Sequence, residues 1–164
     1  MEFVYVGKIV NTHGIKGEVR IVSDFEKKDL IFNIGSTLYV GKQKEVIEVD
    51  SYRKHKNFDM ITFNKITNIN DVLKYKGLNV YIDRDSLNLN KEEYLMSDLI
   101  DMDVYFNDEH IGKINDIEKN GLNVLMVIGN KLIPHNKHFI KSVSLENKKV
   151  ILENVEGLLW ELIY

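Results

Sequence analysis

Residues 7–21 read GKIVNTHGIKGEVRI. The residues leading into this stretch and its last five alternate side chains with the period of a pleated strand, and the segment between them holds two glycines around a His and a Lys. Val4, Val6, Lys8 and Val10 alternate with Phe3, Tyr5, Gly7 and Ile9, so both faces of the first strand are largely apolar, as in a central or barrel-forming strand. In the second run Val19 and Ile21 point one way and Glu18 and Arg20 the other. Asn11–Gly17 is therefore expected to cap a hairpin, with Gly14 and Gly17 available for positive φ. THGIKG, residues 12–17, can be a catalytic loop, a contact loop or only a turn.

Composition extends the β reading to the whole chain. The 164 residues contain no Ala, the best helix former, while β-branched and aromatic residues abound. Further strands are expected at 37–40, 44–53, 58–63 and 78–82, and one short helix at NINDVLKYKG (68–77), capped by Asn68, ended by Gly77 and turning Ile69, Val72 and Leu73 to one face. DRDSLNLNKEE (83–93) has few bulky apolar residues and reads as a linker. Beyond it strands follow at 102–106, 111–118, 122–128, 131–134, 139–143 and 148–153, a spacing that suits small barrels or sandwiches. Val155, Leu158, Leu159 and Leu162 predict a final helical turn. The expected organisation is a first β-barrel over 1–84, a linker over 85–93 and a second over 94–164.

Composition also narrows the function classes. Without Cys there is no disulfide framework, thiolate metal site or Cys nucleophile, which fits a reducing cytoplasm. The opening residues carry an acid and no basic leader, and no apolar run approaches the roughly 18 residues of a spanning helix, so neither signal peptide nor membrane is expected. Residues 1–90 carry 14 Lys and Arg against 12 Asp and Glu (+2), whereas the remainder carries 8 Lys against 13 acids (−5). Such asymmetry suits a chain that bridges RNA and a basic protein, and solubility alone also produces it.

An enzyme would need His13 beside a carboxylate, Asp24 or Asp50, with Ser23 or Thr12 as nucleophile, yet the chain holds no nucleophile elbow, P-loop or dinucleotide fingerprint. His135 and His138 stand three apart next to Pro134, a spacing that on a strand points them to opposite sides, so no metal site is expected. Two basic groups remain: Lys8, His13, Lys16 and Arg20 on the first hairpin, and Arg53, Lys54, His55 and Lys56 where the fourth strand turns. Cations of this kind meet phosphates or merely solvate hairpin tips. Tyr94, Leu95 and Met96 form an apolar cluster where the second half begins, facing a partner or joining the halves.

The stretch at 7–21 resembles the N-terminal signature of the ribosome maturation factor RimM family, G-x-I-x-x-x-H-G-I-x-G-E-V. EEYLMSDLI, IGKINDIEKNGLNVLMV, KLIPHNKHFIKSV and VEGLL then resemble successive elements of that family's C-terminal PRC-barrel. The resemblance implies a mainly β protein of two small barrels that works without catalysis or cofactor. It implies a cytoplasmic monomer that binds the small ribosomal subunit precursor, contacts a ribosomal protein of the subunit head, and assists late folding and processing of 16S rRNA, touching the rRNA directly. His13, Gly14, Lys16, Gly17 and Arg20 become the signature and ribosome contact, Arg53, Lys54 and Lys56 a basic RNA-facing loop, and Tyr94, Leu95 and Met96 the ribosomal-protein contact. Competing readings are a PRC-barrel adaptor for a non-ribosomal complex and an RNA-acting enzyme using His13.

The chain departs from the family pattern in places. Leu95 replaces the second of two aromatics, Asp101 stands where glycine is usual and predicts an altered turn, and His135 and Asn136 replace apolar residues and predict a more polar rim.

Overall fold

The computed structural model describes residues 1–160, and their backbone divides into one unit over Met1–Lys91 and a second from Glu92 onward. In the first unit the strands are β1 (Phe3–His13), β2 (Glu18–Val22), β3 (Thr37–Val40), β4 (Glu45–His55), β5 (Phe58–Phe63) and β6 (Asn79–Asp83). They close into a barrel in the order β1-β2-β5-β4-β3-β6, each neighbouring pair antiparallel. Ile9, Val19, Ile21, Leu38, Ile47 and Phe63 fill its interior, none of them exposed. Bulges in β1 and β4 bend these two 11-residue strands, the usual means of curling a sheet until it closes. At Gly7 the backbones approach so closely that a Cβ would stand 2.7 Å from the Val22 carbonyl oxygen.

Strand β1 runs to His13, so the hairpin loop is only the four residues GIKG. Gly17 has φ 90°, and a Cβ there would lie 2.9 Å from the Ile66 carbonyl oxygen. The loop docks on the segment that follows β5: Ile69 N donates to Ile15 O at 3.0 Å. That segment takes up its helical character as two 3₁₀ turns, Ile69–Asp71 and Leu73–Tyr75, rather than as one α-helical stretch. Asn68 caps the first by accepting from Asn70 N at 2.8 Å. Val72 and Tyr75 are buried while Leu73 is half exposed, so the expected apolar face is corrected to Val72 and Tyr75. Both ends are tied to the first hairpin, Ile69 N to Ile15 O and Gly77 N to Ile9 O. With no Ala and these outside partners, a costly α-helical nucleus gains little. A further 3₁₀ turn, Arg84–Leu87, follows β6 and buries Leu87.

The second unit contains β7 (Asp103–Phe106), β8 (Glu109–Lys113), β9 (Asp116–Asn120), β10 (Asn123–Ile128), β11 (Lys131–Pro134), β12 (Ile140–Ser144), β13 (Lys149–Leu152) and α1 (Glu156–Trp160). Its strands hydrogen-bond as two sheets, β11-β10-β9 and β12-β13-β7-β8, the second held by a parallel β7–β13 pair. The single strand expected over 111–118 is divided between them. Asn115 N turns to Val127 O at 2.7 Å, and Asn115 Oδ1 accepts from Gly129 N at 2.6 Å, so the chain changes sheets there. Val104, Ile114, Met126, Ile133, Val150 and Val155 form the shared core, and Leu158 and Leu159 of α1 pack against it. Leu162 lies outside the described residues.

Candidate nucleic-acid interface

On β2 the alternation that sends Val19 and Ile21 inward sends Glu18 and Arg20 outward. Register then decides their neighbours. Arg20 lies opposite Met60 of β5, and Met60 lies opposite Arg53 of β4. The two basic segments, over thirty residues apart in sequence, therefore share one outer face of the barrel. Arg53 grips Glu18 through two hydrogen bonds, Nε to Oε2 at 2.9 Å and Nη2 to Oε1 at 2.7 Å. Arg20 Nη2 lies 2.7 Å from His13 Nδ1, and its guanidinium sits 5.4 Å from the Phe58 ring centre. The His13 and His55 ring centres lie 5.7 Å apart, the rings tilted by 48°. Gly14, Ile15, Lys16 and Thr62 border an adjoining depression of about 390 Å³ together with His13 and Glu18.

The electrostatics follow from this crowding. The Arg53 hydrogen bonds hold the Glu18 carboxyl below its ordinary value of 4.5, with further help from the charges of Arg53, His13 and His55 against a partial burial. Desolvation pushes the His55 imidazole below its ordinary 6.5, and the nearby Arg53, Lys56, His13 and Arg20 act in the same direction. Arg20 Nε is buried and makes no hydrogen bond among the described residues. The face concentrates guanidinium, ammonium and imidazole groups around one carboxylate, a chemistry complementary to an anion with several oxygens.

The predicted residues separate in instructive ways. His13 and Arg20 meet, and Arg53 holds Glu18 on the same face, with Gly14, Lys16 and Gly17 at the tip beside them. Arg53 and Lys54 belong to strand β4 rather than a loop, and only Lys56, at φ 55°, lies in the turn. Lys54 points to the opposite side, 3.8 Å from Asp59 Oδ1. Lys8 is five residues along β1 from His13, about 16 Å away, and joins no common cluster with it.

Periodicity gave no hint of Asp59, a wholly buried carboxylate that accepts from Lys28 Nζ and Tyr52 Oη, each at 2.7 Å. Burial and that bond push the Tyr52 hydroxyl up to about 12. His55 and Phe58 close the cluster as directly opposed partners at the β4–β5 turn, a pairing that a two-residue turn at Lys56-Asn57 makes legible in hindsight.

Groups an acid–base reading would give His13 are engaged elsewhere: Asp50 accepts from Lys65 N, and Ser23 Oγ donates to Val6 O.

At the start of the second unit the apolar triplet disperses. Tyr94 Oη lies 2.8 Å from His135 Nε2, with the two rings edge to face at 5.8 Å, and burial raises the tyrosine hydroxyl. Leu95 has no exposed surface, and Met96 packs partly against the second core. His138 turns instead to Phe139, ring centres 4.7 Å apart. Asn136 Oδ1 accepts from the His138 and Phe139 amides at 3.0 and 3.2 Å, which ties the polar rim residue into a turn. Asp101 adopts φ 69° and donates its amide to Ile114 O at 2.8 Å, so it takes the left-handed conformation open to a glycine.

Comparison with known proteins places these features in a lineage. Residues 4–87 match the RimM N-terminal domain model and residues 96–158 the RimM PRC barrel domain model. The ribosome maturation factor RimM of Staphylococcus haemolyticus is 43% identical over 95% of this chain and 98% of its own length, and that of a Staphylococcus aureus strain is 42% identical with the same coverage. A solved RimM structure from Pseudomonas aeruginosa aligns over 93% of this chain and 97% of its own at 20% identity, with a TM-score of 0.46. With both domain models matched in order and a relative this similar over nearly its whole length, the chain belongs to the ribosome maturation factor RimM family.

Proposed function

We propose that this chain assists maturation of the small ribosomal subunit, including processing of its 16S rRNA, by binding rather than by a chemical step. The observation that carries the reading is the outer face of the first barrel, where His13, Arg20, Arg53 and His55 converge from three strands beside the exposed Lys16. A phosphate backbone is an anion of the right chemistry for such a face. The relatives' name supports the ribosomal setting, and the acidic balance of the second half supports a basic ribosomal protein of the subunit head as its partner. Tyr94 and Met96, both half-buried, are the parts of the 94–96 triplet with surface to offer that protein. The chain acts in this reading as a cytoplasmic monomer, without cofactor, metal or membrane.

Co-sedimentation of the full chain with small-subunit precursors tests it. Arg20→Glu is expected to weaken association about tenfold, and added salt to weaken the parent chain steeply. An association indifferent to both, or turnover of RNA by the chain alone, overturns the reading.

A further inference from the structure

The barrel's outer surface carries a second organised feature on strands β1, β6, β3 and β4, apart from the cationic cluster. Register places Tyr5 opposite Tyr81, Tyr81 opposite Tyr39, and Tyr39 opposite Val46, so one row crosses four strands. Tyr5 is 54% exposed, Val46 59% and Phe3, one step along β1's outer face, 39%. The rings meet edge to face, Phe3 with Tyr39 at 5.0 Å and Tyr5 with Tyr81 at 6.0 Å. Scattered apolar residues on a surface mean little, but a contiguous aromatic row on one sheet face does not arise from scatter.

The surroundings say what such a row would take. On one side the next row carries Lys8, opposite Asn79, and the turn after β3 adds Lys42 and Lys44. The Lys44 ammonium lies 4.1 Å from the Tyr81 ring centre and 5.6 Å from that of Phe3. On the other side the row carries Asp83, opposite Phe3, and Glu48, opposite Thr37. The face is thus graded, with cations along one border, rings in the middle and acids along the other. Unpaired RNA has the matching layout, since its bases stack on aromatic faces while its phosphates follow a cationic edge.

We propose that this aromatic row is a binding platform for unpaired RNA, with bases on Tyr5, Tyr81 and Phe3 and the backbone along Lys8, Lys42 and Lys44. Lys44 then leaves the Tyr81 ring for a phosphate, so that a base replaces the ammonium on the ring face. This rests on the reading above that the first unit lies against RNA, and it adds a second strand path distinct from the His13–Arg20 cluster.

Fluorescence anisotropy of a labelled single-stranded oligoribonucleotide of about ten nucleotides, titrated with the full chain, tests it. Tyr5→Ser is expected to weaken binding about tenfold and Tyr5→Trp to retain it, because stacking requires a ring and not a hydroxyl. Lys44→Glu should weaken binding and flatten its salt dependence, and a duplex of equal length should compete poorly. Circular dichroism checks that each variant is folded. If folded Tyr5→Ser binds the oligonucleotide as tightly as the parent chain, or if it loses affinity only for a basic peptide, the platform is not an RNA site. In that event co-sedimentation of the parent chain with subunit precursors leaves the ribosomal function standing, and a parent chain that fails to co-sediment removes both.

Discussion

The first hairpin and the segment that opens the second unit were marked out by the same kind of signal, a short run of chemically distinctive residues, and they fold in opposite senses. Around the hairpin, strand register gathers His13, Arg20, Arg53 and His55 from separate runs onto one outer face. At residues 94–96 the run divides instead: Leu95 is fully buried, while Tyr94 bonds His135 and stays half-buried with Met96. Adjacency along the chain is a poor guide to a contact surface in a β protein, because successive side chains point to opposite faces. Cross-strand pairing is the better guide.

The largest test of this contrast is Leu95→Ala. A fully buried leucine truncated to Ala loses about 2–5 kcal/mol, so urea denaturation should show a much less stable chain. If stability is unchanged while ribosomal binding falls, Leu95 is a contact after all and the two regions behave alike. Smaller, and opposite in sign, is Asp101→Gly. Relief of the positive φ at a site with an intact backbone bond should raise stability by up to about 1 kcal/mol, read in the same denaturation experiment.

The smallest expected effect lies on the hairpin side and is read against pH. The depressed His55 imidazole means that the unfolded chain takes up a proton first, so stability declines as pH falls through 6.5, the ordinary histidine value. The depressed Glu18 carboxyl contributes stability that is present above 4.5 and is lost as pH falls below it through the folded-state value. Thermal melts across this range should show two acid steps. His55→Gln should remove the upper step and Glu18→Gln the lower, and a wild-type profile in either variant would detach that residue from the cluster.

Much of this architecture was legible in residue order. Alternation located the strands of the first barrel, and the glycines at 14 and 17 located its tip. Three things were not legible. The parallel β7–β13 pairing joins strands that no hairpin connects. The change of sheet at Asn115 falls inside IGKINDIE, a run that reads as one continuous strand. The Glu18–Arg53 grip depends on β2 and β4 flanking β5, an order that a strand pattern alone does not reveal. For the same reason Lys54, adjacent to Arg53, was grouped with it although it faces Asp59 on the other side.

The unbroken ring of hydrogen-bonded strands in the first unit has a bearing on the company such a factor keeps. A chain segment with unpaired backbone amides is drawn to any free strand margin, where it nucleates aggregates. A sheet that joins its own ends offers no such margin. Whatever docks on it does so through side chains and loops rather than by adding a strand, and such contacts can let go again.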